Sequence, residues 1–505
     1  MDHRRQGTFG ALAPRGSTES GGCGKKNDSS GLSQTLDQLL SITRSAASSD
    51  SCAERLAEHM LSLLLCSDRS TLSNLICTSG RHHQDWTADY RLYSHSRVNE
   101  DVLFDGVRTH IEEALSPDAP LVVAMDDTLI RKTGVHIEGV GWRRDPLGPK
   151  FQTNLVQAQR FVQFSAAWPL EQGQARTVPI GFFHTPSAPK PPKNADVSIQ
   201  KLYREGKKQM ALNNQALGHM HTLRRQCPSS RKIIFTGDGS YTNTTVLKGL
   251  PSNCVYIGRI RKDTKLNHLP QTPATLTGRP ASYGAQAPTP EALRKDESVP
   301  WQLMEAFAAG KRHLFRVKTL GPVLWRKSGA KLPMRLLVIA PLSYRIRKGA
   351  KLFYRKPTYL LCTDPNMPLQ EILQDYLWRW GIEVNFREEK SLLGTGEAQV
   401  RTKASNQHLP AVTVAAYSLL WIAALKLISS GKTIPSITPP KWRKPDLDLE
   451  NHLPSTGDLL RSLRFELWSR ALRPDTFYHF VTGSHPSSKS QKPSPSLPGA
   501  LFKAA

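Results

Sequence analysis

The sequence predicts an α/β fold, with a helical segment in front of the core and a mostly β segment inserted within it. Three observations carry this. Two short apolar runs, Leu121–Met125 and Lys232–Thr236, are each followed by aspartate, directly or after one glycine, as buried strands that deliver polar groups at their ends. Strand-like runs at Arg160–Ala167 and Thr177–Phe183 and a Lys-rich helical stretch near 197–226 lie between them. Residues 250–365 then carry strand patterns separated by Gly, Pro and Lys, before helical periodicity returns from Pro368.

In chain order, residues 1–32 are rich in Gly, Ser and charge and read as a disordered tail. Residues 33–115 carry apolar residues at three- and four-residue spacing and read as a helical N-terminal domain with a possible role in DNA binding. Residues 116–250 hold the first part of the α/β core. Residues 251–365 form the β insertion, with strands expected at Cys254–Ile260, His313–Thr319, Arg335–Ala340 and Thr358–Cys362. Residues 366–430 return to the core as helices, and 431–505 read as a Pro-rich tail with one helical stretch near 457–472.

The chain has 505 residues, and 68 Lys plus Arg against 42 Asp plus Glu give a net charge of +26. Such an excess favours a polyanionic partner, because each cation placed on a phosphate releases counterions. The seven cysteines are scattered without a CxxC pair, which argues against a zinc ribbon and for free thiols in a reducing compartment. The longest uncharged apolar stretch is Ala411–Leu425, shorter than the ~20 residues a bilayer needs, so it reads as a buried helix and no membrane partner is expected.

Asp126 or its neighbour Asp127, Asp238 and Glu383 are the candidate chemical residues. Two Mg²⁺ ions about 4 Å apart can activate water and stabilise the leaving oxygen of a phosphodiester. Hard oxygen ligands suit Mg²⁺, and phosphate and water complete its shell. Taken singly, an aspartate after a strand is more often a turn or a cap. The residues around Glu383 add weight. Tyr376, Arg379, Glu383 and Lys390 fall within an arc of roughly 60° on one helix at ~100° per residue. Arg387 lies beside them. Ion pairs at four-residue spacing would explain the charges alone, but not why a phenol and two cations align with one carboxylate. Glu388 and Glu389 point elsewhere on the wheel.

These residues complete the pattern Y-x2-R-x3-E-x6-K, which resembles the signature of a large group of bacterial insertion-sequence transposases of the DDE class. Met125-Asp126-Asp127-Thr128 and Gly237-Asp238-Gly239 match the aspartate contexts of that group, with Asp127 as the alternative register. The resemblance covers residues 115–430. It implies an RNase H-like catalytic core with a β insertion between the second Asp and the Glu. It further implies that Asp126, Asp238 and Glu383 hold two Mg²⁺, for which Mn²⁺ can substitute, and that Tyr376, Arg379 and Lys390 grip DNA phosphates; Arg387, beside them, is a further DNA-binding candidate. The group cuts through a DNA hairpin intermediate, with a flipped base held by an aromatic of the insertion. Trp325 is the candidate for that role, with Trp301 and Trp142 as rivals. The implied partners are double-stranded DNA, as terminal inverted repeats and target, and a second copy of the chain on DNA. The implied location is the bacterial cytoplasm and nucleoid.

The basic segment supports this independently. Lys311–Lys356 contains 14 Lys or Arg and no Asp or Glu, interleaved with Phe315, Trp325, Tyr344, Phe353 and Tyr354. Cations with aromatics suit a nucleic-acid backbone with stacked bases. Two other readings stay open: a nuclease on the same fold that does not join strands, and a DNA-binding protein derived from a transposase.

Overall fold

The computed structural model describes residues 31–471, apart from 135, 146–147, 150, 272–280, 348 and 435–452. The tail expected over residues 1–32 and the stretch beyond 471 therefore lie almost wholly outside the described residues. The described residues open with six α-helices: α1 (Leu32–Leu39), α2 (Thr43–Ala46), α3 (Asp50–Leu65), α4 (Leu72–Thr78), α5 (Thr87–Ser94) and α6 (Glu100–Ala114). Side-chain caps set several of their starts. Ser49, Thr71 and Asn99 each accept a backbone N–H from the first turn that follows.

Then come β1 (Leu121–Arg131), β2 (Gly141–Arg144), β3 (Leu155–Pro169), β4 (Ala175–His184), α7 (Val197–Gln209), α8 (Leu212–Gln226), β5 (Ile233–Gly237), α9 (Thr244–Gly249) and β6 (Cys254–Arg259). The Lys-rich stretch is thus two helices, broken at Met210-Ala211. The basic half contains β7 (Asn267–His268), α10 (Pro290–Lys295), β8 (Gln302–Ala308), β9 (Lys311–Leu324), β10 (Met334–Ile339), β11 (Ser343–Arg345), β12 (Leu352–Tyr354) and β13 (Thr358–Cys362). The last helices are α11 (Leu369–Trp378), α12 (Trp380–Ser391), α13 (Lys403–Ser429) and α14 (Thr456–Ala471).

One large mixed sheet organises these elements. Its order is β2-β3-β1-β5-β6-β13-β10-β9-β7, with β4 on β3 and β8 on β9. β5 runs parallel to β1 and β6 parallel to β5, while the other pairs are antiparallel. The β segment is therefore continuous with the core. Cys254–Arg259, which pattern alone places in the insertion, pairs with Ile233–Gly237 in the middle of the sheet. β13, β10 and β9 extend it from there, and β11–β12 form a separate two-stranded hairpin.

β8 escapes sequence reading because LMEAFA is made of good helix formers. Pairing with β9 overrides that preference. The two strands meet at Ala309-Gly310, both with positive φ, as a tight hairpin turn requires.

The N-terminal helices are not a free-standing unit. Leu36, Leu56, Leu63 and Val107 share one hydrophobic core with Phe161, Phe164 and the α13 residues Val412–Leu425. Amphipathic helices must cover an apolar surface, and α13 supplies it. α13 is long and apolar enough to cross a bilayer, but every residue from His408 to Leu425 is buried inside the protein.

Candidate active site

The sheet register puts two of the three acids side by side. Met125 on β1 lies opposite Gly237 on β5, so Asp126 and Asp238 occupy the next positions on neighbouring strands. β5 ends there. β1 runs on, paired only with β3 on its other edge, with Asp126 opposite Gln163. The acid expected after the end of β1 thus stands mid-strand, where the parallel pairing stops. That strand is a rigid mount.

Successive strand residues face opposite sides of a sheet, and this separates the two first-acid candidates. Asp126 Oδ2 lies 3.7 Å from Arg379 Nη1. Asp127 Oδ1 instead accepts a hydrogen bond from Tyr241 Oη at 3.1 Å. Asp238 Oδ1 accepts from Ser240 N at 2.8 Å and Ser240 Oγ at 2.6 Å, which fixes the carboxylate in the Gly-Asp-Gly-Ser turn.

Glu383 arrives on α12. The signature face is not one unbroken helix: α11 ends at Trp378, and Arg379 sits between the helices with φ −50° and ψ −33°. Those angles are still helical, so the side chains keep their common face. Gly381 brings α12 close to β4, since a Cβ there would lie 2.1 Å from Thr177 Oγ1. Arg379 then spans the site. Its Nη2 donates to Glu383 Oε1 at 3.0 Å while its Nη1 faces Asp126, and its guanidinium stands over the Tyr376 ring at 5.6 Å. Burial alone would lower the Arg379 pKa; Tyr376, Glu383 and Asp126 hold it above its ordinary value instead.

Burial pushes Asp126 up to about 7, and the charges of Asp238 and Asp127 add to this, while the Asp127 amide and Arg379 oppose it. A carboxyl at such a position is stabilised in its charged form by any nearby cation. The three acids supply only oxygen donors, which suit a hard divalent ion. Among the described residues, however, no group of three His, Cys, Asp or Glu is gathered closely enough to hold a metal ion. Asp126 and Asp238 are neighbours, and Glu383 is linked to Asp126 through the Arg379 guanidinium.

The other expected contacts are distributed differently. Lys390 Nζ donates to Thr128 Oγ1 at 2.6 Å and to the Leu129 carbonyl at 3.0 Å, so it fastens α12 to β1 while the residue stays exposed. Arg387 is 71% exposed, with Glu388 Oε1 at 3.8 Å. Tyr376 is half-buried against the apolar cluster of Ile372 and Leu373. Trp325, just past the end of β9, is partly buried and packs against the apolar cluster that holds Val323 and Met334. Trp301 lies under the Arg316 and Lys318 cations, and Trp142 is the exposed one of the three, at 67%.

The basic run is also not uniformly on the surface. Lys318 is buried and donates to the Leu293 and Arg294 carbonyls at the end of α10, and Arg335 donates to the Met367 carbonyl. Its exposed part includes Lys311, Arg312, Arg316, Arg326 and Lys327 and the β11–β12 hairpin, with Tyr344, Ile346, Phe353 and Tyr354 outward and the Arg355 guanidinium 5.3 Å from the Tyr344 ring centre. Lys348 lies outside the described residues.

Sequence reasoning missed Tyr241, Arg160 and Arg143. The charges of both arginines act on Asp127. A signal for Tyr241 was present, three residues past Asp238; the arginines lie on strands whose pairing no local pattern gives. A family model described as DDE superfamily endonuclease matches residues 44–329, more than half the chain. That stretch includes Asp126 and Asp238 and ends before Arg379 and Glu383. No curated protein matches the chain.

Proposed function

The chain belongs to the DDE superfamily of endonucleases, and from that premise we propose that it is a DNA transposase that cuts and joins the ends of an insertion sequence. DDE enzymes generally use divalent metal ions. The observation that carries the proposal is the adjacency of Asp126 and Asp238 across β1 and β5, with Arg379 bridging Asp126 to Glu383. The mixed sheet with parallel β1, β5 and β6 at its centre supports reading the core as RNase H-like, with β13, β10, β9 and the β11–β12 hairpin as its insertion.

Asp126, Asp238 and Glu383 would hold two Mg²⁺, which supply Lewis-acid activation of water and of the leaving oxygen. The chain's own groups do the rest. Tyr241 fixes Asp127 and so the twist of β1 beside Asp126. Ser240 orients Asp238. Arg379 can exchange its carboxylates for a DNA phosphate with little change in charge balance, and Arg387 and the hairpin cations extend that phosphate track. The duplex would be the terminal repeat and then the target, bound by a dimer, with the hairpin intermediate as the route of cleavage.

The test is purified full-length protein with Mg²⁺ and DNA carrying candidate terminal repeats. Nicking followed by end joining is the expected result. Nicking without joining would make it a nuclease, and binding without cleavage would make it a DNA-binding derivative.

A further inference from the structure

The Glu383 carboxylate does not by itself hold α12 in place. Among the described residues it is bonded to Arg379, four positions back, and reaches the sheet only through the 3.7 Å approach of that guanidinium to Asp126, which defines the rotation of α12 against the sheet only weakly. Three other attachments define it. Lys390 ties the helix to β1. Asn385 and Glu389 meet Ser165 and Gln163 of β3, at 3.2 and 3.0 Å. The third attachment is a closed ring of side chains around Glu388.

Arg176 on β4 donates from Nη2 to Glu388 Oε2 at 2.6 Å. Thr456, the first residue of α14, donates from Oγ1 to the same oxygen at 2.7 Å. Trp421 on α13 donates from Nε1 to Thr456 Oγ1 at 3.0 Å, and the Arg176 guanidinium stands 3.8 Å from the Trp421 ring centre. Tyr417 lies inside the ring, accepting from Arg176 and within 2.7 Å of Glu388 Oε2. Thr456, Trp421 and Tyr417 are buried.

A buried ion pair is weak as a source of stability, since a well-packed apolar replacement is often neutral or better. Directional bonds to a charge do restrict geometry. A carboxylate about 6 Å from a helix axis moves by about 1 Å for a 10° turn of the helix, and 1 Å of misplacement can cost roughly 100-fold in rate. We propose that Thr456, acting with Arg176 and Trp421 through Glu388, is a positioning residue for Glu383, so that the C-terminal helix α14 is a functional part of the site. This rests on reading Glu383 as a metal-holding carboxylate. α14 lies beyond the residues matched by the family model, and it also grips the other end of the chain. Glu466 accepts from the Leu32 and Ser33 amides at the start of α1.

The test compares Thr456→Val, which keeps shape and removes the hydroxyl, with Thr456→Ser, which keeps the hydroxyl. In full-length protein, Thr456→Val should lower single-turnover nicking at saturating DNA at least about tenfold. Its DNA dissociation constant should stay within about twofold of wild type, because phosphate contacts are untouched. Amide exchange across residues 380–391 should rise, and Thr456→Ser should restore both readouts. A folded Thr456→Val protein with wild-type exchange in α12 and wild-type nicking overturns the proposal. So does a uniform rise in exchange with weakened DNA binding, which marks general loosening. If Glu383→Gln nicks as wild type does while α12 still loosens in Thr456→Val, the metal-holding role of Glu383 fails and the anchoring of α12 stands. If wild type does not nick, the exchange of α12 decides alone.

Discussion

The two faces of α12 are built on opposite principles. Toward Asp126, Glu383 is 36% exposed and shares one cation, Arg379, with that residue. Toward the core, Glu389 is 1% exposed, Glu388 accepts from three donors, and Asn385 is fully buried and bonded. Both faces carry carboxylates, so composition does not distinguish them. The difference lies in what happens to the charge. On the site face it is left available; on the core face that of Glu388 is committed to fixed partners and that of Glu389 is suppressed by burial. A single helix thus carries one carboxylate that can change partners and two that hold the helix still.

The sharpest way to break this comparison is Glu383→Gln. It should abolish nicking, on the order of 1,000-fold or more, since several kcal/mol of charge stabilisation go with the metal. Gel-shift affinity and melting temperature should stay near wild type, the site-face carboxylate being half-exposed and weakly held. Full nicking by this variant removes Glu383 from the mechanism.

Glu388→Ala should do the reverse to stability. Removing it leaves Arg176 buried without its carboxylate, a loss of about 3–5 kcal/mol, readable in chemical denaturation. A stability within about 0.5 kcal/mol of wild type, as for an ordinary surface change, would show that the core face is not the anchor described above.

Glu389 sharpens the comparison through pH. Burial pushes its carboxyl up to about 8 from an ordinary 4.5. Between those values the folded protein holds a proton that the unfolded chain has lost. Stability from this group is therefore fully present below about 4.5 and is lost as pH rises through about 8, by up to a few kcal/mol. Glu389→Gln should flatten that part of the unfolding profile and be the more stable protein at pH 9. Identical pH profiles for the two proteins would place the Glu389 carboxyl in water.

The smallest expected effect lies outside α12. Changing Arg345, Arg347, Lys348 and Lys351 together to Ala should weaken DNA binding at every sequence. It should also flatten the slope of log affinity against log salt by up to roughly three to four units. The melting temperature should hold, because β11–β12 is a separate hairpin. An unchanged slope would move the phosphate contacts to Arg379 and Arg387.

The strands and the helix that carry the candidate acids were legible in the sequence. LVVAM and KIIFT read as buried strands at that length and apolarity, and each is followed closely by its aspartate. Helical spacing aligned Tyr376, Arg379, Glu383 and Lys390, and the turn at Arg379 left that face intact. Local periodicity was enough for these features, because each depends on neighbours within a few residues. Tertiary structure decided the pairings. It set Asp126 against Asp238 and turned Asp127 to Tyr241. It gave Lys390 partners on β1 and packed Trp325 against an apolar cluster. It also made β6 part of the central sheet and placed Thr456 against Glu388, 68 residues away. Register and long-range bonding depend on surfaces that exist only once the chain has closed on itself, and no local pattern encodes which surface a given side chain will meet.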